Sequence, residues 1–214
     1  MPAQQQAVDV ARKHMASLYT YINSADFIDN LQFTYAETYS LQRGLDYEQN
    51  ITLLRFDYDR LKIRKENSDL TQPEEDRFFQ LNELFGFTQY VLNDKGQFHP
   101  SSKRTNTFSF NDPMANRLTN ILRTETKEIP AWLCSPIYRD AIVFYNTKKE
   151  IISTLNVCLD CQYMATKPFN LVNCDYVTYD LLKRFFLDIG HDIENPTYSI
   201  IDNLNDLKKK HGKL

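Results

Sequence analysis

Cys158 and Cys161 stand three apart in Cys-Leu-Asp-Cys, with Cys134 before them and Cys174 after, and these four thiols are the only clustered set of reactive side chains in the sequence. Thiolates are soft ligands, and four of them around a tetrahedron hold a structural Zn²⁺; a C-x-x-C at the end of a hairpin supplies two. The candidate metal set is therefore Cys134, Cys158, Cys161 and Cys174. The outer two are single cysteines rather than a second C-x-x-C, so two other readings stand beside zinc. The thiols can pack as small buried hydrophobes, or Cys158 and Cys161 can form a redox pair. A redox pair needs a deprotonated first thiol, commonly held by the amides at a helix N-terminus. Gln162 to Pro168 follow Cys161 and leave little room for a helix, which speaks against a thioredoxin-like enzyme. Cys134 is expected near the C-x-x-C, because the second strand of an antiparallel hairpin returns to where the first began. That proximity is expected without a bound metal.

Other chemistry has weaker support. His14, His99, His191 and His211 show no metal-helix spacing, and each is expected to be solvated. Five glycines, no two of them close, exclude a phosphate-cradling loop and a dinucleotide fingerprint. No serine sits in a nucleophile-elbow setting. Glu74, Glu75 and Asp76 crowd a helix start, where acidic residues suit the dipole. A formal charge of −3 with no basic stripe predicts no nucleic-acid partner. No apolar run approaches the roughly 18 residues that span a bilayer, so no membrane partner is expected. The N-terminus lacks a basic and apolar leader. The expected location is cytoplasmic, unless a signal peptide has been removed.

The elements that would position these residues follow from periodicity. Val8, Ala11, Met15, Leu18 and Ile22 fall three or four apart and predict a first helix. Leu31 to Leu41 alternates as a half-buried strand. Ile51 to Ile63, with Thr52, Leu54, Phe56 and Tyr58 alternating against charges, predicts a second strand paired with it. Thr71-Gln72-Pro73-Glu74 is a capping-box helix start, with Phe78, Leu81, Leu84 and Phe85 as its buried stripe and Gly86 as its stop. Tyr90 to Leu92 reads as a strand entering the turn Asn93 to Gly96. His99 to Asn106 reads as a mobile polar loop, followed by a short strand at 107–110. Asp112-Pro113 caps a helix with Leu118, Ile121 and Leu122 on its inner face. The aromatics Phe27, Phe33, Tyr35, Tyr39, Tyr47, Phe56 and Tyr58 are expected as core and cross-strand pairs, or else as an exposed interface.

In the C-terminal half, residues 139–145 and 150–157 predict an antiparallel hairpin. Asp175 opens a helix over 176–189 that packs on it, closed by Gly190. A last helix is expected from about Ser199. The predicted class is α+β, with mixed helices and antiparallel hairpins and a C-terminal β-hairpin followed by a helix. Residues 1–214 are expected to form a single domain, with 99–106 as the place where it would divide.

Cys134-Ser135-Pro136, the stretch Tyr138 to Tyr145 and Val157-Cys158-Leu159-Asp160-Cys161 together resemble a pattern in uncharacterised bacterial proteins of Bacteroidetes type. There a cysteine, a proline and an apolar strand lead to a strand ending in C-x-x-C. The resemblance covers residues 130–190 at most. It implies an architecture and carries no activity, cofactor or site.

With no cofactor motif, the expected function is a non-enzymatic binding or interaction protein whose partner is another protein. The alternative is a thiol- or zinc-dependent protein centred on Cys158 and Cys161.

Overall fold

The computed structural model describes residues 19–85, 90–130 and 134–193. In chain order its elements are β1 (Thr20–Asn23), α1 (Ser24–Asp29), β2 (Tyr35–Ser40), α2 (Leu45–Glu66), α3 (Gln72–Phe85), β3 (Lys103–Ser109), α4 (Pro113–Leu122), β4 (Asp140–Tyr145), β5 (Ile151–Cys158), β6 (Tyr163–Lys167), β7 (Asn170–Asn173) and α5 (Tyr176–Asp188). The strands form one seven-stranded sheet in the order β1-β7-β6-β5-β4-β2-β3. Every pairing is antiparallel except β1 with β7. The class is α+β.

The C-terminal hairpin forms where the two apolar runs predict it, with Ile142 opposite Leu155 and Asp140 opposite Val157. Its turn is held by Asn146, whose Oδ1 accepts from the amides of Lys148 (2.9 Å) and Glu150 (3.0 Å). Alternation along the strands separates two faces. On one, Ile142, Phe144, Leu155 and Val157 form a core with Phe27 and Ile28 of α1, Leu118 and Leu122 of α4, and Leu182, Phe185 and Phe186 of α5. On the other, Ala141, Val143, Tyr145 and Tyr39 pack with Leu41 and Val91. Val91 is held there by Asn156, which accepts from its amide (2.8 Å) and donates to Ala165 O (3.0 Å). This buried side chain therefore joins a non-strand segment to the sheet.

The helix caps follow the sequence closely. Asp112 accepts from Met114 N ahead of Pro113, and Asp175 accepts from Val177 N. Glu74 Oε2 accepts from both the amide and the hydroxyl of Thr71, making the reach-back half of a capping box. At the end of α5, Gly190 has φ 87° and donates to Leu187 O, while His191 N donates to Phe186 O. This is the Schellman arrangement, which needs a residue free to turn left-handed.

Four expectations are corrected. Residues 51–63 lie inside the 22-residue helix α2, not in a strand. Over the longer window Tyr47, Leu54, Tyr58 and Leu61 recur at helical spacing against α3, and Leu, Gln, Arg, Lys and Glu are strong helix formers. Ile22 belongs to β1, not to a helix. Residues 103–109 form β3, so 99–106 is not a polar surface loop throughout. Tyr90 to Leu92 makes only an isolated bridge, Leu92 with Phe98. The rest of the predicted first helix, the Gly86 stop and the helix from Ser199 lie outside the described residues.

Candidate functional site

The four cysteines separate into a pair and two singles. Cys134 is exposed, Cys161 is half-buried, and their Cα atoms are 6.1 Å apart with the sulfurs bonded, within the usual span of a disulfide. Cys134 thus comes close to the C-x-x-C, and its partner is Cys161. Cys158 ends β5 with its thiol buried beside Tyr138 and Ala165, and burial raises its pKa. Cys174 is buried between β7 and α5, where burial pushes its thiol up to about 12. A high pKa keeps a thiol protonated and unreactive. Among the described residues, no group of three or more His, Cys, Asp and Glu side chains is arranged to hold a metal ion.

Two polar constellations, which the sequence reading missed, lie on opposite faces of the β2–β4 pair. Asp140, the first residue of β4, is fully buried. Its Oδ1 accepts from Arg43 Nη1 (2.6 Å) and faces His191 Nδ1 (2.7 Å). A carboxylate can only accept, so Nδ1 carries the proton. His191 Nε2 lies 2.7 Å from Thr105 Oγ1, the extra residue of a bulge in β3. Of the four histidines expected in solvent, the two in the described residues are corrected, and His14 and His211 lie outside them. His191 is buried because the Gly190 turn directs it inward onto Phe186, at 4.6 Å between ring centroids. His99 is buried with Nε2 at 2.9 Å from Glu83 O and Nδ1 at 2.9 Å from Ser101 Oγ, and burial lowers its pKa.

The order hydroxyl, imidazole, carboxylate is that of an activated nucleophile. Here the Thr105 hydroxyl also meets Thr38 Oγ1 (2.7 Å) and Thr38 O (3.1 Å). These contacts engage the hydroxyl with protein groups on three sides. The chain of bonds joins β2, β3, β4 and the end of α5, so the arrangement acts as a strut.

On the opposite face, Glu37 Oε2 accepts from the hydroxyls of Tyr39 (2.6 Å) and Tyr145 (2.9 Å), and Oε1 from Arg104 (2.8 Å). Burial alone would raise its carboxyl pKa. The two hydroxyls and the guanidinium outweigh that and hold it below the usual carboxylate value. Tyr39 is pushed up to about 12 by burial and by Glu37. Tyr35 stacks flat on Tyr145, 4.5 Å between centroids. Glu37 interrupts an otherwise apolar strand face, and that was its one signal in the sequence.

The third feature is the α2–α3 hairpin, which packs on its own cluster of Leu61, Phe78, Leu81 and Leu84. Gln42 Nε2 donates to Leu84 O (3.1 Å), and with the His99–Glu83 bond it ties the end of α3 to the sheet. Arg55 lies over the Phe85 ring at 4.0 Å. At about 100° per residue, Tyr47, Leu54, Tyr58 and Leu61 fall on one side of α2. Leu45, Phe56 and Ile63 fall within about 20° of one another on the other side, with Leu53 about 60° round the helix from Phe56. Leu45, Leu53, Phe56 and Ile63 are 74%, 69%, 70% and 60% exposed. The helix thus carries two opposed apolar stripes, of which α3 covers one.

No protein family, no curated protein and no solved structure matches this chain. Among the described residues, no helix is long and apolar enough to cross a membrane.

Proposed function

We propose that the chain works by binding another protein through the outer face of α2. One observation carries this reading: a long helix leaves a second apolar stripe in solvent while its first is packed. A helix apolar on two sides is normally covered on both, and contiguous exposed apolar patches mark interaction sites. Phe56, at the middle of the stripe, supplies the large rigid side chain typical of an interface anchor. The acidic balance of the chain argues for a protein rather than a nucleic-acid partner. The test is a photo-reactive phenylalanine analogue placed at 53, 56 or 63 in the growing cell, with position 50, off the stripe, as control. Adducts at the stripe positions and none at 50 are expected; a stripe without adducts overturns the reading.

A second reading, thiol chemistry, is favoured by the Cys134–Cys161 bond. Its reactive group is that disulfide, since Cys158 is buried and protonated. In a cytoplasmic protein such a bond is exposed to thiol exchange, whereas in an oxidising compartment it stays closed.

A further inference from the structure

We infer that the partner on α2 is a second copy of this chain, its helix running antiparallel to the first. This inference rests on the reading of α2 as a binding face and adds the identity of the occupant.

Charge along the helix carries the argument. The first ten residues of α2 contain Asp46 and Glu48 and no cation, while its last five carry Lys62, Arg64 and Lys65 against the single acid Glu66. A parallel pair would set Glu48 on Glu48 and Lys62 on Lys62. An antiparallel pair, with its two-fold axis near residues 54 and 55, sets Glu48 beside Lys62 of the second copy, twice. These residues lie on the same flank of the exposed stripe, within about 40° of each other at helical spacing. In an antiparallel pair, residues of one flank meet the same flank of the partner. Arg64 is already bonded to Glu74 and Asp69 within its own chain, so the new pair falls to Lys62. Opposite charges at such flanking positions set partner choice and orientation.

The apolar stripe is self-complementary about the same axis. Leu45 meets Ile63 of the second copy, and Leu53 meets Phe56, so each large side chain lies against one near its own size. A two-fold interface uses one surface patch on both copies. The four exposed side chains offer roughly 500 Å² per copy at the areas typical of such groups, or about 1,000 Å² for the pair. That reaches the lower range of specific interfaces, and the flanking Gln49, Thr52 and Arg60 extend it. The area matches a dimer that exchanges in solution rather than an obligate one.

The test uses the full chain by sedimentation velocity over roughly 1–200 µM, a range suited to an interface near the lower size limit. The expected result is a concentration-dependent species of twice the 25.2 kDa chain mass. Phe56→Glu and Ile63→Glu should abolish it with an unchanged far-ultraviolet spectrum, because both side chains are exposed. Glu48→Lys and Lys62→Glu should each weaken association at least fivefold, and the double exchange should restore it. Failure of that rescue overturns the antiparallel arrangement. A chain that stays monomeric throughout overturns self-association. If photo-adducts at position 56 then carry a different protein, the binding face stands without this partner. If no adducts form either, both readings fall.

Discussion

His191 Nδ1 lies 2.7 Å from Asp140 Oδ1, with both side chains buried and 51 positions apart in the chain. Arg43 reaches the same oxygen. A buried carboxylate serving two partners is costly to delete, because its partners cannot regain water. Asp140→Ala should therefore lower unfolding free energy by about 3 kcal/mol, measured by urea titration. A loss below about 1 kcal/mol, the range of exposed pairs, would show that Arg43 and His191 reach solvent.

Gly190 turns the chain left-handed at φ 87°. An added Cβ finds no neighbour within 4 Å, so Gly190→Ala should act through backbone strain alone. The expected cost is about 1 kcal/mol. The His191 ring resonances should shift as the turn relaxes, and an unchanged ring spectrum would separate the turn from the placement of His191.

Glu37 has a lowered folded pKa, so its contribution is complete above the unfolded value of 4.5 and is lost as pH falls through the folded value. Tyr39 has a folded value raised to about 12 from 10.0. Its contribution is complete below pH 10 and is lost as pH rises towards 12. Stability measured against pH should fall less steeply on the acid side in Glu37→Gln and less steeply on the alkaline side in Tyr39→Phe. Parallel curves for wild type and variant would remove Glu37 and Tyr39 as the cause.

Reduction of the native chain should expose two thiols to alkylation and leave two protected. Cys134 and Cys161 should be modified first. Cys158 and Cys174, both buried with raised pKa, should react only on unfolding. Mass spectrometry of peptides after a timed iodoacetamide pulse reads the order, and early modification of Cys158 would contradict its burial.

The parts of the fold legible in the sequence were those set by neighbours. The β4–β5 hairpin followed from two apolar runs and a polar turn, and the caps at Thr71, Asp112 and Asp175 followed from local side-chain bonding. Residues 51–63 misled because four alternating positions, Thr52 to Tyr58, mimic a strand inside a helix whose true period shows only from Tyr47 to Leu61. The buried polar groups were illegible for a different reason. Nothing near His191 in the chain announces Asp140, and nothing near Glu37 announces Tyr145, 108 residues away. The cysteine reading placed Cys134 near the C-x-x-C, but which of the two it meets depends on how the turn after β5 points each sulfur.

The pairing of β1 with β7 joins Thr20 to Asn170, so one edge of the sheet is closed by segments 150 positions apart. A growing chain carries β1 without its partner until Asn170 has been made. β2 waits as well, since its neighbours β3 and β4 begin at Lys103 and Asp140. The earliest lasting sheet pairing open to β5 is with β4 across a short turn, and loop closure favours such near contacts over distant ones. Short turns join β4, β5, β6 and β7 in succession, so loop closure favours that run over the distant pairings of β1 and β2. β1, the earliest of the described strands, is thus joined among the last.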